Sequence, residues 1–406
     1  MRILHTSDWH LGARLCDRER FDEHKAFLSW LTETIKKEEV DLLIVSGDIF
    51  DTSNPPNYGE TLYYDFLCSL VGTKLSCTVI IGGNHDSVSK LNSAKSLLDR
   101  MNIFVMGGAE KDVGEMVIPV KKRGEIVSVV CAIPFLRERD IRVPTPGESW
   151  DERERAIADG VRAYYHDAVQ IARKRYNLST IPLIGTGHLF VTGSQSGEGQ
   201  RDLYVGNLGS VSTSVFPKDF SYIALGHIHR AQKVGKKDYI RYCGSPIAMD
   251  FGEDSKKILF IVDFDNCEIS NIRSVLIPQF RKLIRFKGSF DEVCSQIDQF
   301  EVPDYPFWAD VELEAGAAAG DVSQILNDKA AEKNFEFLKI KVLRNKEENI
   351  FKPHQTVEIK DLTPEEVFEE RCLNAGLNQA EKDLLLPLYR ELLVQIESDE
   401  VEICEN

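Results

Sequence analysis

Five short blocks of this 406-residue chain carry side chains that can hold cations, and each follows an apolar run. They are Ser7-Asp8-Trp9-His10, Ser46-Gly47-Asp48-Ile49-Phe50-Asp51, Gly83-Asn84-His85-Asp86, Gly185-Thr186-Gly187-His188 and Gly226-His227-Ile228-His229. Five of the nine histidines lie in these blocks, although histidine has no local preference for such places. Carboxylate, amide and imidazole donors together suit manganese, iron or zinc. The groups Asp8, His10, Asp48, Asn84, His85, His188, His227 and His229 are too many for one ion. Two ions about 3.5–4 Å apart, sharing a carboxylate and a water, would use them all. Asp48, after the middle of the first three strands, is the natural bridge.

Each block also has an ordinary explanation. A single histidine near a strand end is more often hydrogen-bonded structure, and that is the reading for His5, His24, His166 and His354. An aspartate after glycine often only closes an Asx turn. Asp86 fits that description, and Asp51 fits a tie between neighbouring loops. Chance does not explain five such blocks together.

Ligands in open α/β sheets sit beyond the ends of strands, so each block needs a strand ahead of it. Strand 3–6 precedes Asp8. A helix over 21–39 places Phe27, Leu31 and Ile35 on one face, and strand 40–45 leads into Asp48 as one right-handed βαβ unit. Pro55-Pro56, a helix over 60–70 and strand 78–81 bring the chain to Gly82-Gly83, where a tight turn is required. A helix over 93–101 and strand 103–106 complete a parallel half. Strands 116–120 and 126–133 read as a meander, followed by a charged helix over 150–175. Strands 181–184 and 222–225 precede the last two blocks, with a polar, mobile loop over 192–200 between them. Short strands at 239–243, 258–262 and 269–275 are expected to be antiparallel.

Three domains are predicted: 1–278 with the five blocks, a small α/β cap over 279–345, and a helical segment over 346–406. The cap reads strand, helix 290–300, strand 307–313, helix 322–333, strand 335–342. In the tail, Thr363-Pro364-Glu365-Glu366 and Asn378-Gln379-Ala380-Glu381 have capping-box spacing, with Gly376 between the two helices. Their apolar faces (Val367, Phe368; Leu385, Leu388, Leu392, Ile396) are too small for an independent core, so they either fold back on the cap or dock on a partner, and the partner is the expectation preferred.

The bulk composition excludes less than it first suggests. Of the net charge of −16, the segment 346–406 carries −10, from 6 basic and 16 acidic side chains, so the tail is not the part expected to bind DNA. No apolar run approaches the roughly 18 residues that span a bilayer, and the N-terminus leaves no room for a signal peptide. Nine scattered cysteines without a Cys-x-x-Cys pair read as reduced thiols in a cytoplasmic protein and argue against thiolate-bound zinc. No Gly-x-x-x-x-Gly-Lys phosphate loop occurs.

In this order, Asp8-x-His10, Gly47-Asp48, Gly83-Asn84-His85-Asp86, Gly187-His188 and Gly226-His227-x-His229 resemble the signature of the calcineurin-like metallophosphoesterases. The strings His5-Thr6-Ser7-Asp8-Trp9-His10-Leu11-Gly12, Gly47-Asp48-Ile49-Phe50-Asp51-Thr52 and Cys243-Gly244-Ser245-Pro246 narrow the resemblance to the SbcD family of DNA-repair nuclease subunits. It covers 1–275 without a departure at a ligand position, and is looser over cap and tail. The resemblance implies an α/β fold of two sheets flanked by helices, with the cap and C-terminal helices appended. It implies that Asp8, His10 and His229 hold one ion, and that Asn84, His188 and His227 hold a second, with Asp48 between. Both ions would be Mn²⁺, with Mg²⁺, Fe²⁺ or Zn²⁺ open, and His85 would be the acid near the leaving oxygen or a stabiliser of the transition state. It also implies a homodimer, action on DNA ends and hairpins, and an SbcC-type SMC ATPase on the C-terminal helices. Arg14, Arg18, Arg20, Lys90, Arg137, Arg139 and Arg230 lie near the blocks in sequence and are candidate phosphate contacts. Because the fold serves several chemistries, two alternatives stand beside DNA: a phosphodiesterase or phosphatase for small molecules, and a non-catalytic scaffold.

Overall fold

The computed structural model describes residues 1–143, 148–192, 194, 211–253, 256–314 and 319–343, together with 368, 372, 382, 385, 386 and 389. Two compact units are present, Met1–Arg344 and Asn345–Asn406. In the second, the rings of Phe368 and Tyr389 stack 4.3 Å apart. Both predicted tail capping boxes lie outside the described residues, as do 193 and 195–200 of the polar loop.

The chain begins with β1 (Arg2–Thr6), a small hairpin of β2 (Arg14–Leu15) and β3 (Arg18–Glu19), and helix α1 (Phe21–Lys37). Next come β4 (Leu42–Ser46), α2 (Asn57–Ser69), β5 (Cys77–Ile81), the single turns α3 (Val88–Leu91) and α4 (Lys95–Leu98), and β6 (Ile103–Met106). The second half holds β7 (Val117–Lys122), β8 (Glu125–Cys131), α5 (Glu138–Ile141), α6 (Trp150–Arg175), β9 (Leu183–His188) and β10 (Tyr222–Gly226). It closes with β11 (Gln232–Val234), β12 (Lys237–Tyr242), β13 (Ile258–Asp265) and β14 (Glu268–Leu276). The cap is β15 (Lys282–Gly288), α7 (Phe290–Gln299), β16 (Phe307–Leu313), α8 (Ala319–Glu332) and β17 (Phe337–Val342).

Two six-stranded sheets face each other, ordered β14-β13-β1-β4-β5-β6 and β11-β12-β10-β9-β8-β7. Strand alternation explains the layering. Leu42 and Ile44 of β4 join Ile3, Val79, Ile184, Tyr222 and Ala224 in a core between the sheets. Leu43 and Val45 point the other way, onto Phe27, Leu31 and Ile35 of α1 and Leu62 and Phe66 of α2. The second sheet buries Val129, Leu183, Ile223 and Leu225 against Val161, Tyr165, Ala168 and Ala172 of α6. Strands buried on both faces read as unbroken apolar runs, which is why β4 shows no polar alternation.

Helix starts follow local chemistry. Ser149 and Glu152 cap α6 reciprocally, and Ser289 and Glu292 do the same for α7. The cap sheet β15-β16-β17 is wholly parallel, with α7 and α8 as its crossovers and a core of its own containing Phe286, Val293, Ile297, Val311 and Leu326.

Two local expectations differ from the structure. Residues 93–101 form short turns around α4 rather than one helix. β12 runs parallel to β10, pairing Ile223 with Ile240, while only β11 opposes it. The antiparallel expectation holds for the last two strands: β13 pairs antiparallel with β14 and, returning to the first sheet, with β1, Ile3 opposite Val262. Partner choice among strands is decided by burial far along the chain, which local alternation does not report.

Candidate metal centre

Five strand ends bring the blocks together. Asp8 and His10 follow β1, Asp48 follows β4, and Asn84 and His85 follow β5; His188 ends β9, and His227 and His229 follow β10. Where the sheets meet at these ends, the backbones approach too closely for any side chain. A Cβ on Gly226 would lie 1.8 Å from the Ser46 carbonyl oxygen, and one on Gly47 (φ +84°) would lie 2.1 Å from His188 Nδ1. Four predicted ligands themselves occupy the left-handed region: Asp8 (φ +52°), His10 (+47°), Asp48 (+48°) and His227 (+97°). Such conformations persist only where surrounding structure enforces them, and they concentrate at functional sites.

Three donor groups form among the described residues, one of them His10 with Asp51 and His85. The two that hold the predicted ligands are Asp8, His10 and His229, and then Asp48, His188 and His227, each with its donor atoms within 4.8 Å of one another. Asp48 Oδ2 joins them, 3.1 Å from His188 Nε2 and 3.7 Å from His10 Nε2. Asn84 Oδ1 completes the second group, 3.1 Å from both His188 Nε2 and His227 Nδ1. Asp8 is buried, and its carboxylate accepts from Ser7 Oγ at 2.6 Å and from the His227 backbone N–H at 2.8 Å.

The tautomers follow from the outer partners and test the fit of a cation. His188 Nδ1 donates to the Ser46 carbonyl at 2.9 Å, so its Nε2 lone pair faces the acceptors Asp48 Oδ2 and Asn84 Oδ1. His229 Nδ1 sits 3.0 Å from Glu253 Oε1, and His10 Nδ1 sits 3.1 Å from Asp51 Oδ1, close but out of line for a hydrogen bond. The Nε2 atoms of His10 and His229 then face each other at 3.1 Å. Acceptors converging on acceptors are stabilised by a cation between them, and oxygen and imidazole donors in this mixture suit a first-row divalent ion.

Electrostatics agree. Burial opposes charge on His10, but Asp51, Asp48 and Asp8 outweigh it and raise the imidazole to about 9. His188 is likewise raised to about 9, burial being overcome mainly by Asp48. Against burial, His188 and His10 hold Asp48 well below the usual carboxylate range. Burial and the charge on His188 push His227 down to about 3. Protons and metal ions compete for these same lone pairs.

His85 stands beside the donors. Its backbone N–H donates to Asp48 Oδ1 at 3.0 Å, and its Nδ1 donates to the Asp51 carbonyl at 2.7 Å, leaving Nε2 as the ring atom available to a substrate. Asp86 is more than one turn: its carboxylate accepts from Ile49, Phe50 and Gly83 N–H at 2.8–3.0 Å and locks the second and third loops together. Burial, with Asp48 nearby, pushes Asp86 up to about 6. Of the remaining histidines, His5 is buried and bonded to the Tyr222 hydroxyl at 3.0 Å, His24 is buried, and His166 is exposed on α6. His354 lies outside the described residues.

The basic candidates separate. Arg20 is a correction: it is 1 % exposed, bonded to Glu23 and the Ala248 carbonyl, and it lies beside the cap's Trp308, so it cannot reach a phosphate. Its partner Glu23 also binds Arg281 at 3.2 Å, whose guanidinium stacks 4.3 Å over Trp308. Lys90 is half-buried and paired with Glu60 at 2.7 Å, and Arg18 is paired with Glu336 of the cap. Arg14 donates to the Asp17 carbonyl at 2.8 Å; Arg137 opens α5, while Arg139 and Arg230 are exposed.

Sequence reasoning missed Glu253 and Lys257. Against burial, His229 and Lys257 hold Glu253 down to about 2. Glu253 lies 24 residues beyond His229 on a separate loop, and no spacing rule connects the two.

Residues 1–231 match the family described as calcineurin-like phosphoesterase, and residues 279–375 match the type 5 capsule protein repressor C-terminal domain. The chain is 34% identical over 396 residues to the SbcD subunit of the SbcCD nuclease of Escherichia coli strain K12, covering 97% of this chain and 98% of that one. It is 32% identical over 317 residues to the SbcD subunit of the SbcCD nuclease of Bacillus subtilis strain 168, covering 77% and 79%. The solved structure of GAP50, the anchor in the inner membrane complex of Plasmodium, aligns with TM-score 0.37 and 14% identity, over 68% of this chain and 89% of that one.

Proposed function

Because this chain belongs to the SbcD branch of the calcineurin-like phosphoesterases, we propose that it is the nuclease subunit of an SbcCD-type enzyme and hydrolyses DNA phosphodiesters with two bound divalent ions. The observation that carries this reading is the pair of donor groups joined through Asp48. Asp8, His10 and His229 would hold one ion; Asn84, His188 and His227 would hold the other, with Asp48 shared. Held by these residues, divalent ions would supply Lewis-acid polarisation of the phosphodiester oxygens and a lowered pKa for a nearby water. The chain's own groups do the rest. Asp51 and Asp48 fix His85, whose protonated Nε2 would donate to the leaving oxygen.

Mn²⁺ suits the mixed oxygen and imidazole donors, with Mg²⁺, Fe²⁺ and Zn²⁺ as competitors. The substrates proposed are DNA ends, degraded exonucleolytically, and hairpins or single strands, cut endonucleolytically. Arg14, Arg137, Arg139 and Arg230 are the candidates for backbone contacts. An SbcC-type ATPase would dock on 346–406 and supply the ATP hydrolysis for which this sequence has no phosphate loop, and two copies of the nuclease subunit would assemble with it. The proposed domain limits are 1–278 for the nuclease, 279–345 for the cap and 346–406 for docking. Among the described residues no helix is long and apolar enough to cross a membrane.

The test is digestion of end-labelled linear duplex DNA with Mn²⁺ by wild type and Asp48→Ala, beside closed circular DNA and p-nitrophenyl phosphate. Loss of the linear duplex that Asp48→Ala abolishes is expected. Phosphate-ester turnover with intact DNA, even after an SbcC-type partner is added, would move the assignment to a small-molecule hydrolase.

A further inference from the structure

Behind His229 lies a hydrogen-bonded device outside the metal donors. Glu253 Oε1 is 3.0 Å from His229 Nδ1. Its Oε2 accepts from Lys257 Nζ at 2.6 Å and from the Met249 backbone N–H at 3.0 Å, with Ser245 Oγ at 3.4 Å. Lys257 Nζ also donates to the His229 carbonyl at 3.2 Å and to Ser245 Oγ at 2.9 Å. The histidine is therefore gripped at both ring and backbone. The two charged side chains are only 6% and 9% exposed, so water does not compete for these bonds. The loop carrying Glu253 is braced on its far side: Asp250 faces Arg285 of the cap at 3.6 Å, and the Ala248 carbonyl accepts from Arg20.

An imidazole held only by its bond to a cation can flip its ring or exchange tautomers. We propose that Glu253 is the positioning residue of His229: it fixes the proton on Nδ1 and turns the Nε2 lone pair toward Asp8 and His10. His10 has a comparable carboxylate in Asp51, but poorly aligned, whereas His188 leans on a neutral carbonyl. The Asp8–His10–His229 site is thus steadied from outside the donor set by a buried acceptor on the side chain at position 253. This rests on reading the site as a metal centre.

Removing Glu253 alone would strand Lys257, so the test uses two double variants of the full chain that differ only in the acceptor at position 253. Glu253→Met with Lys257→Met removes the buried pair without leaving a lone charge. Glu253→Gln with Lys257→Met keeps a carbonyl oxygen for His229 Nδ1. Mn²⁺ titrations by calorimetry, each with a thermal melt of the metal-free protein, read both binding steps. The Met variant should bind one of the two ions about 10–100-fold more weakly, the range for lost outer partners of metal ligands, and the other unchanged. The Gln variant should recover most of that loss at a similar melting temperature. Wild-type affinity for both ions in a folded Met variant would overturn the proposal, as would a Gln variant as weak as the Met variant. A wild-type protein that binds no Mn²⁺ would defeat the metal reading itself.

Discussion

Metal binding should be steeply pH-dependent, with a size set by the two imidazoles raised to about 9. At pH 7 an imidazole with that pKa is deprotonated in about one molecule in a hundred, and each unit corresponds to about 1.4 kcal/mol. His10 serves the first donor group and His188 the second, so each binding step must displace one proton. The sign follows: the deprotonated form binds, so affinity rises with pH and levels off above about 9. Each dissociation constant should fall about tenfold from pH 7 to pH 8. Calorimetry in buffers of different ionisation heats should count about one proton released per Mn²⁺. The same protons act oppositely on the metal-free fold. Both folded values lie above the ordinary 6.5, so their stabilisation is complete below 6.5 and is lost as pH rises through about 9. Urea midpoints of the metal-free protein should therefore fall from pH 6.5 to pH 8.5, and Mn²⁺ should restore them most at the alkaline end. Affinities that change less than about twofold over that range, with no buffer-dependent heat, would refute the proton competition on which this rests.

Four further outcomes are expected. His85→Gln should slow DNA hydrolysis by about 10²–10⁴-fold with both Mn²⁺ ions still bound; loss of metal in that variant would make His85 a ligand or a structural residue. Arg20→Ala should destabilise the fold by about 3–5 kcal/mol in urea melts, because it breaks a buried pair at the cap junction; normal stability with weaker DNA binding would restore it as a phosphate contact. Gly226→Ala, with its Cβ 1.8 Å from the Ser46 carbonyl, should cost more than about 3 kcal/mol or prevent folding. Arg230→Ala should weaken DNA binding about equally for all sequences and lower the salt slope by about one; an unchanged slope would remove it from the interface.

The sequence by itself determined which donors exist and what stands before them. Apolar runs such as Leu42–Val45, small residues at the turns and the clustering of histidine in five blocks are local facts, set by backbone sterics and side-chain chemistry. They carried the α/β class, most helix limits and the candidate donors that the structure brings together. Tertiary structure decided what depends on residues far apart in the chain. It brought β9 and β10 of the second sheet against the end of β4, with only glycine tolerated at Gly226. It returned β13 to β1, and it turned Arg20 from an apparent surface charge into a buried link to the cap. It also chose the tautomers of His229 and His188, because Glu253 and the Ser46 carbonyl select which imidazole nitrogen faces the centre. Residue type fixes what a side chain can donate; burial and long-range hydrogen bonding fix where it points and whether it carries a proton.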